Sequence, residues 1–160
     1  MAKTLVAFFS GGGVTARVAH NLADALGVDI YEIAPKVPYT SADLFWPNEK
    51  CRSIVEMRNK TYRPELKSTD ADLGGYDTIF LGFPIWCGIA PTIVNTFLET
   101  YDFSGKKLVL FATSGGSGMG RTAEALRPSV SPDTEITGGK IFSPRTKGED
   151  LKAWAENFLR

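Results

Sequence analysis

Short apolar runs alternate along the chain with segments of helical periodicity, and this alternation limits the possible folds more than any other feature. The strands are predicted at Lys3–Phe9, Val28–Ile33, Thr78–Gly82, Leu108–Ala112 and Glu135–Phe142. The helices are predicted at Val14–Leu26, at Asn48–Lys60, over the stripe that follows Pro91, at Arg121–Leu126 and at Glu149–Leu159. The first strand is apolar almost throughout, which is typical of strands buried on both faces of a parallel sheet. We therefore expect an α/β fold in which three layers enclose a doubly wound, five-stranded parallel sheet.

Size and composition narrow the class of protein. The chain has 160 residues, 18 basic and 18 acidic side chains, two cysteines and one histidine. The length suits a single domain over residues 1–160, and the charge balance gives no basic excess for nucleic acid. The two cysteines have no metal-binding spacing, and a reducing cytoplasm is the expected compartment. No apolar run approaches the roughly 18 residues that a membrane span needs.

A glycine-rich loop, Ser10-Gly11-Gly12-Gly13-Val14-Thr15, follows the first predicted strand. A strand, such a loop and a helix N-terminus together form a site for a phosphate group, because backbone N–H groups point toward the ligand. The loop has no lysine after its glycines and no cysteine nucleophile, which excludes a Walker motif and a low-molecular-weight phosphatase. The dinucleotide pattern G-x-G-x-x-[GA] does fit Gly11, Gly13 and Ala16, with Glu32 at the expected place for a ribose-binding acid.

Two further loops follow predicted strands and are expected at the same edge of the sheet. The loop Phe83–Pro91 carries Trp86 between two prolines, and the loop Thr113–Gly120 is rich in glycine. An aromatic side chain can stack on a flat ring, and glycines let the backbone approach a ligand closely. A flat ring with a phosphate tail, held by three loops, fits flavin mononucleotide (FMN) better than it fits a dinucleotide.

In these loops the chain resembles the flavodoxin family. The Ser-x-x-Gly-x-Thr loop is similar to that family's FMN phosphate loop, and Phe83-Pro84-Ile85-Trp86 is similar to its ring-stacking loop. Thr113-Ser114-Gly115-Gly116-Ser117-Gly118 is similar to its third loop. The segments Pro38–Leu44, Glu56-Met57 and Arg63-Pro64-Glu65 resemble a bacterial and archaeal subgroup of short-chain flavodoxins. The resemblance implies a flavodoxin-like strand order, 2-1-3-4-5, and a non-covalently bound FMN.

The resemblance also implies which residues bind FMN. They are Ser10, Gly11, Gly12, Gly13, Val14, Thr15, Pro84, Ile85, Trp86, Cys87, Gly88, Thr113, Ser114, Gly115, Gly116 and Gly118. We expect the hydroxyls of Ser10 and Thr15 to contact the phosphate, Trp86 to stack on or flank the ring, and the Cys87–Gly88 peptide to lie near the flavin N5. Gly12 and Val14 stand where the family commonly has threonine and asparagine, so phosphate binding should rest mostly on backbone amides. No residue is expected to be catalytic or to bind a metal.

The implied function is electron transfer between a reductase that donates electrons and a protein that accepts them, by a monomer or a weak homodimer. One alternative is a small FMN-dependent NAD(P)H:quinone reductase, whose substrate cleft would have to come from the irregular link at residues 36–75. Another is an FMN- or nucleotide-binding domain that acts in assembly or regulation without redox turnover. Tyr39 and Trp46, both in the link, are candidates for a lid over the site.

Overall fold

A five-stranded parallel sheet forms the centre of the molecule, with the strand order β2-β1-β3-β4-β5. The structure is a computed structural model that describes residues 3–159. The strands are β1 Thr4–Phe8, β2 Asp29–Glu32, β3 Thr78–Pro84, β4 Lys107–Thr113 and β5 Glu135–Ile141. The expected α/β fold and its strand order are confirmed.

Helices cover both faces of this sheet. They are α1 Val14–Leu26, α2 Arg52–Arg58, α3 Thr92–Thr100, α4 Thr122–Leu126 and α5 Gly148–Glu156, with short 3₁₀ turns at Ala42–Leu44 and Arg127–Ser129. Apolar residues of α1 and α5 share one core cluster with one face of β1, β3 and β4, and those of α3 and α4 share a second cluster with the opposite face. No helix in the part of the chain that the structure describes has both the length and the apolar character to cross a membrane.

The bounds of several elements differ from the prediction. Strand β3 continues two residues beyond Gly82, because Phe83 and Pro84 pair with Ala112 and Thr113 of β4. Pro84 and Thr113 therefore lie at strand ends and not in loops. Helix α2 begins at Arg52 and not at Asn48, whose carbonyl and side chain close the turn before the helix.

Smaller differences lie at the other element ends. Strands β1, β2 and β5 are shorter than predicted by one residue at one or both ends, β4 is longer by one at each end, and α4 begins one residue later. Helix α5 runs from Gly148 to Glu156 and not to Leu159, because the Asn157 side chain donates hydrogen bonds to carbonyls of its last turn. Helix α1 has the predicted bounds, with Gly27 in the left-handed conformation as its C-cap.

Irregular backbone pairing occurs in or next to both edge strands of the sheet. Beside β2, the chain forms an antiparallel bridge between Pro35 and Leu66, with backbone hydrogen bonds of 2.9 and 2.8 Å on either side of it. In β5 the pairing with β4 shifts register between Leu110 and Phe111, and Gly138 and Gly139 have φ values of 78° and 108°. These positive values produce a bulge in the edge strand.

Polar contacts hold the link at residues 36–75 against the rest of the fold. Arg63 donates from Nε and Nη2 to the two oxygens of Glu99 in α3, at 3.0 and 3.1 Å. Ser129 also donates to Glu99, at 2.7 Å. Glu99 thus joins the link to α3 and to the turn after α4.

Candidate functional site

A cavity of about 330 Å³ opens at the carboxyl ends of β1, β3 and β4, within the range of small-molecule sites. The predicted site residues that border it are Ser10, Gly11, Gly12, Val14, Thr15, Pro84, Ile85, Trp86, Thr113, Ser114 and Gly115. Leu44 and Trp46 of the link also border it. The predicted residues that do not border it are Gly13, Cys87, Gly88, Gly116 and Gly118. One edge of the sheet therefore brings the three loops together, as the sequence predicts.

The first loop passes directly into helix α1. Gly13 is the N-cap of α1 with a φ of 97°, a left-handed conformation that favours glycine. The Gly13 amide donates to Ser10 Oγ at 3.0 Å, so this amide is already used within the loop. Gly11, Gly12 and Val14 border the cavity at the helix N-terminus, where backbone N–H groups lack partners within the helix. This end of the cavity suits an anion.

Two threonine side chains join the first loop to the end of β4. The Oγ1 atoms of Thr15 and Thr113 are 2.7 Å apart, and the two residues are 1% and 4% exposed. Two hydroxyls carry two protons, and the bond between them uses one. Among the hydrogen bonds of residues 3–159, neither side chain has another partner. Since a buried donor needs an acceptor, the second proton fits a ligand oxygen in the cavity, such as that of a phosphate.

The second loop contains a tight turn, Trp86–Ile89, in which Trp86 borders the cavity and the two central residues do not. Trp86 and Ile89 exchange two backbone hydrogen bonds, of 2.9 and 3.3 Å, and Cys87 and Gly88 have φ values of 53° and 85°. Positive φ at both central residues defines a type I′ turn. The Gly88 carbonyl accepts a bond from the Arg121 amide at 3.3 Å, which ties this turn to the third loop. A contact of the Cys87–Gly88 peptide with a flavin stays a prediction.

Two tryptophans border the cavity, and they differ in exposure. Trp86 is only 5% exposed, whereas Trp46 is 41% exposed. Trp46 follows the 3₁₀ turn at Ala42–Leu44, and its Nε1 donates to Ser53 Oγ of α2 at 3.1 Å. From the sequence, Trp46 was predicted as a candidate lid residue and not as an FMN-binding residue. Leu44 was not predicted to border the site.

Among residues 3–159, none that borders the cavity carries a formal charge. Arg17, one turn into α1, lies beside Arg145 and Lys147 in a separate cavity near the start of α5. A phosphate in the main cavity would therefore be held by amides and hydroxyls and by the positive end of the helix dipole. The arrangement suits a compound with an anionic end and a flat apolar end.

Comparison with known proteins agrees with this arrangement. The sequence profile of the Flavodoxin family matches residues 3–158. The chain belongs to the flavodoxin family. Membership in this family supports FMN as the cofactor. A comparison with curated proteins found no match to the sequence of this flavodoxin.

Solved structures resemble this flavodoxin over nearly its whole length. A candidate flavoprotein from Bacteroides eggerthii is 45% identical, with 100% of this chain and 99% of that chain covered and a TM-score of 0.90. One from Bacteroides uniformis is 42% identical over 97% of this chain and 98% of that chain, with a TM-score of 0.89. A flavoprotein from Lactobacillus acidophilus, solved in complex with FMN, has the same fold at 19% identity, covering 97% of this chain and 99% of that chain with a TM-score of 0.71.

Proposed function

We propose that this flavodoxin binds FMN non-covalently and transfers electrons from a reductase to an acceptor protein. The family supports the cofactor, and the cavity supports the binding mode through its anion-binding end and its apolar end. FMN, when bound, would supply the redox chemistry, because a flavin ring accepts and releases electrons. The protein supplies the position and the electrostatic environment of the ring.

The observation that carries this proposal is the spare proton of the Thr15–Thr113 pair. The pair is buried, borders the cavity and lies at the N-terminus of α1. The amides of Gly11, Gly12 and Val14 would hold the phosphate together with this proton. An anion without protons on its accepting oxygens satisfies all of these donors at once.

The apolar end of the cavity supports the electron-transfer role. Leu44, Ile85 and Trp86 border this end, together with Trp46, and they would limit the access of water to the ring. The described part of the chain contributes no cation to the lining, so a second negative charge on the bound cofactor would be disfavoured. This environment favours the transfer of one electron at a time.

The test begins with the purified protein stripped of cofactor and titrated with FMN. After free FMN is removed by gel filtration, the protein fraction should retain the absorption bands near 375 and 450 nm, since the flavin chromophore belongs to the cofactor. A potentiometric titration of the loaded protein should then show two separate one-electron steps. A single two-electron step would contradict the carrier role. Steady turnover of NADH with a quinone by the isolated loaded protein would support the reductase instead.

Three further expectations stay predictions from the sequence. They are a cytoplasmic location, redox proteins as partners, and a monomer or weak homodimer. Sedimentation of the loaded protein measures the last of these directly.

A further inference from the structure

The ring of Trp86 has little surface left for a ligand. It packs edge-on against Phe9 and Tyr39, with centroid distances of 5.5 and 5.2 Å and interplanar angles of 87° and 76°. On the side of the first loop, a Cβ atom built on Gly11 would lie 3.1 Å from Cζ2 of Trp86. Trp86 therefore forms part of the cavity wall, and its 5% exposure leaves almost no ring surface for a ligand to cover.

An ion cluster in the link holds Tyr39 against Trp86. The Tyr39 hydroxyl donates to the Glu56 carboxylate, and Arg52 Nε donates to the same carboxylate at 2.8 Å. The Arg52 guanidinium lies 3.9 Å from the centroid of the Tyr39 ring, close enough for a cation–π interaction. Burial, followed by the bond to Glu56, raises the pKa of Tyr39 above its ordinary value, so the phenol keeps its proton and continues to donate. Trp86 is thus fixed on the side of the link as well as on the side of the sheet.

Trp46 has the opposite properties. It borders the same cavity, and two fifths of its surface is open. Its N–H edge is anchored to Ser53, which is buried in the first turn of α2. An indole that is held at one edge and is two-fifths exposed offers a preformed aromatic surface. Such a surface can cover a flat ring without the loss of any side-chain hydrogen bond.

We propose that Trp46, and not Trp86, supplies the aromatic surface that covers the flavin ring. This inference rests on the proposed function, and it gives the link at residues 36–75 a role as one wall of the binding site. Ser53 acts as the positioning residue for Trp46. Trp86 has a structural role in this arrangement, because it supports the wall from which Ile85 and Pro84 face the cavity.

The test compares three variants in their affinity for FMN and for riboflavin, which has the same ring and no phosphate. Trp46→Ala should weaken the binding of both ligands by the same factor, roughly ten- to one-hundred-fold, as expected for the loss of one stacked aromatic. Trp46→Phe should restore most of the affinity, because it keeps an aromatic surface. Phe45→Ala is the matched control: Phe45 is the neighbouring exposed aromatic, 57% exposed, and does not border the cavity. It should leave both affinities unchanged.

Calorimetric titration measures both affinities, and thermal unfolding of the cofactor-free variants checks that they fold. Wild-type affinities in a folded Trp46→Ala variant would overturn the inference and leave the proposed function intact. A factor that is large for FMN and absent for riboflavin would also overturn it, since the side chain would then act on the phosphate. Failure of the wild type to bind FMN would overturn the proposed function and this inference together.

Discussion

Replacing Thr15 with valine should separate the two roles of the buried hydroxyl pair. In the cofactor-free protein the change leaves the Thr113 hydroxyl buried without its partner at 2.7 Å. An unpaired buried hydroxyl costs about 1–3 kcal/mol of unfolding free energy. Thr15 lies in the first turn of α1, beside the amides that suit an anion, so we assign the proton offered to the cavity to its hydroxyl, and this donor is lost as well. A hydrogen bond to a charged group contributes about 1.5–3 kcal/mol, so the dissociation constant for FMN should rise roughly ten- to one-hundred-fold.

Two companion variants make this prediction specific. In Thr113→Val the Thr15 hydroxyl remains free to donate to the phosphate, so FMN affinity should fall less than in Thr15→Val, although the stability loss is similar. In the double variant both hydroxyls are replaced by groups of the same shape, which can be nearly neutral for stability. The double variant should therefore regain most of the unfolding free energy and keep the weak FMN affinity of Thr15→Val.

The assay combines urea unfolding of the cofactor-free proteins with calorimetric titration of FMN and riboflavin. Riboflavin lacks the phosphate, so its affinity should change by no more than about threefold in Thr15→Val, well under the tenfold that 1.4 kcal/mol represents. An unchanged FMN affinity in this variant would refute the reasoning, because the spare proton would then not reach the ligand. Equal weakening of FMN and riboflavin would refute it as well.

Three other predictions concern the third loop, an ion pair and the absence of charge in the cavity lining. Gly120→Ala should lower the urea midpoint and reduce the free energy of unfolding by about 1–3 kcal/mol, because Gly120 has a φ of 56° and its Cβ would lie 2.0 Å from a carbonyl oxygen of the second loop. The control Gly118→Ala should have little effect, since its Cβ meets nothing within 4 Å. Equal losses of unfolding free energy in the two variants would contradict this. The hydrogen bonds from Arg63 hold the pKa of Glu99 below its ordinary value, so the contribution of Glu99 to stability is complete at neutral pH and is lost as the pH falls through that lowered pKa. The free energy of unfolding in urea should therefore fall more steeply on acidification in the wild type than in Glu99→Gln. Parallel pH curves for the two proteins would count against the pairing. FMN affinity should change by less than about threefold between about 0.05 and 0.5 M salt, since screening acts on charges and the lining has none; a steep dependence would indicate a cation at the phosphate.

The alternation of strands and helices and the bounds of α1 could be predicted because both depend on local patterns, whereas the order of the strands was expected from the resemblance to flavodoxins. Helix α1 has an apolar stripe between a glycine-rich start and Gly27, and these signals lie within the segment itself. The predicted end of β3 at Gly82 was wrong because the true end depends on a partner that is distant in sequence. Pro84 belongs to the strand through its pairing with Thr113. A proline ordinarily argues against a central strand. Only the observed pairing shows that Pro84 is the last residue of β3.

The meeting of the three loops at one edge of the sheet could be predicted from the sequence, whereas the contacts of their side chains could not. The three loops meet as the topology of a parallel sheet requires, and sequence alone could place them there. It could not show that Thr15 pairs with Thr113, or that Trp86 is enclosed while Trp46 is open. Those facts depend on the path of the link, which is set by long-range contacts such as that of Arg52 with the carbonyls of Val37 and Pro38, at 2.9 and 3.1 Å. No periodic pattern encodes such contacts.

The two edges of the sheet have a consequence for aggregation. An exposed edge strand is a template for strand addition by another chain, and proteins commonly interrupt such edges. Here β2 at one edge has only four residues and is followed by the bridge between Pro35 and Leu66, and the bulge at Gly138 and Gly139 bends the other edge. A crowded solution of this protein should therefore resist ordered strand-to-strand growth, even though its central strands are almost entirely apolar.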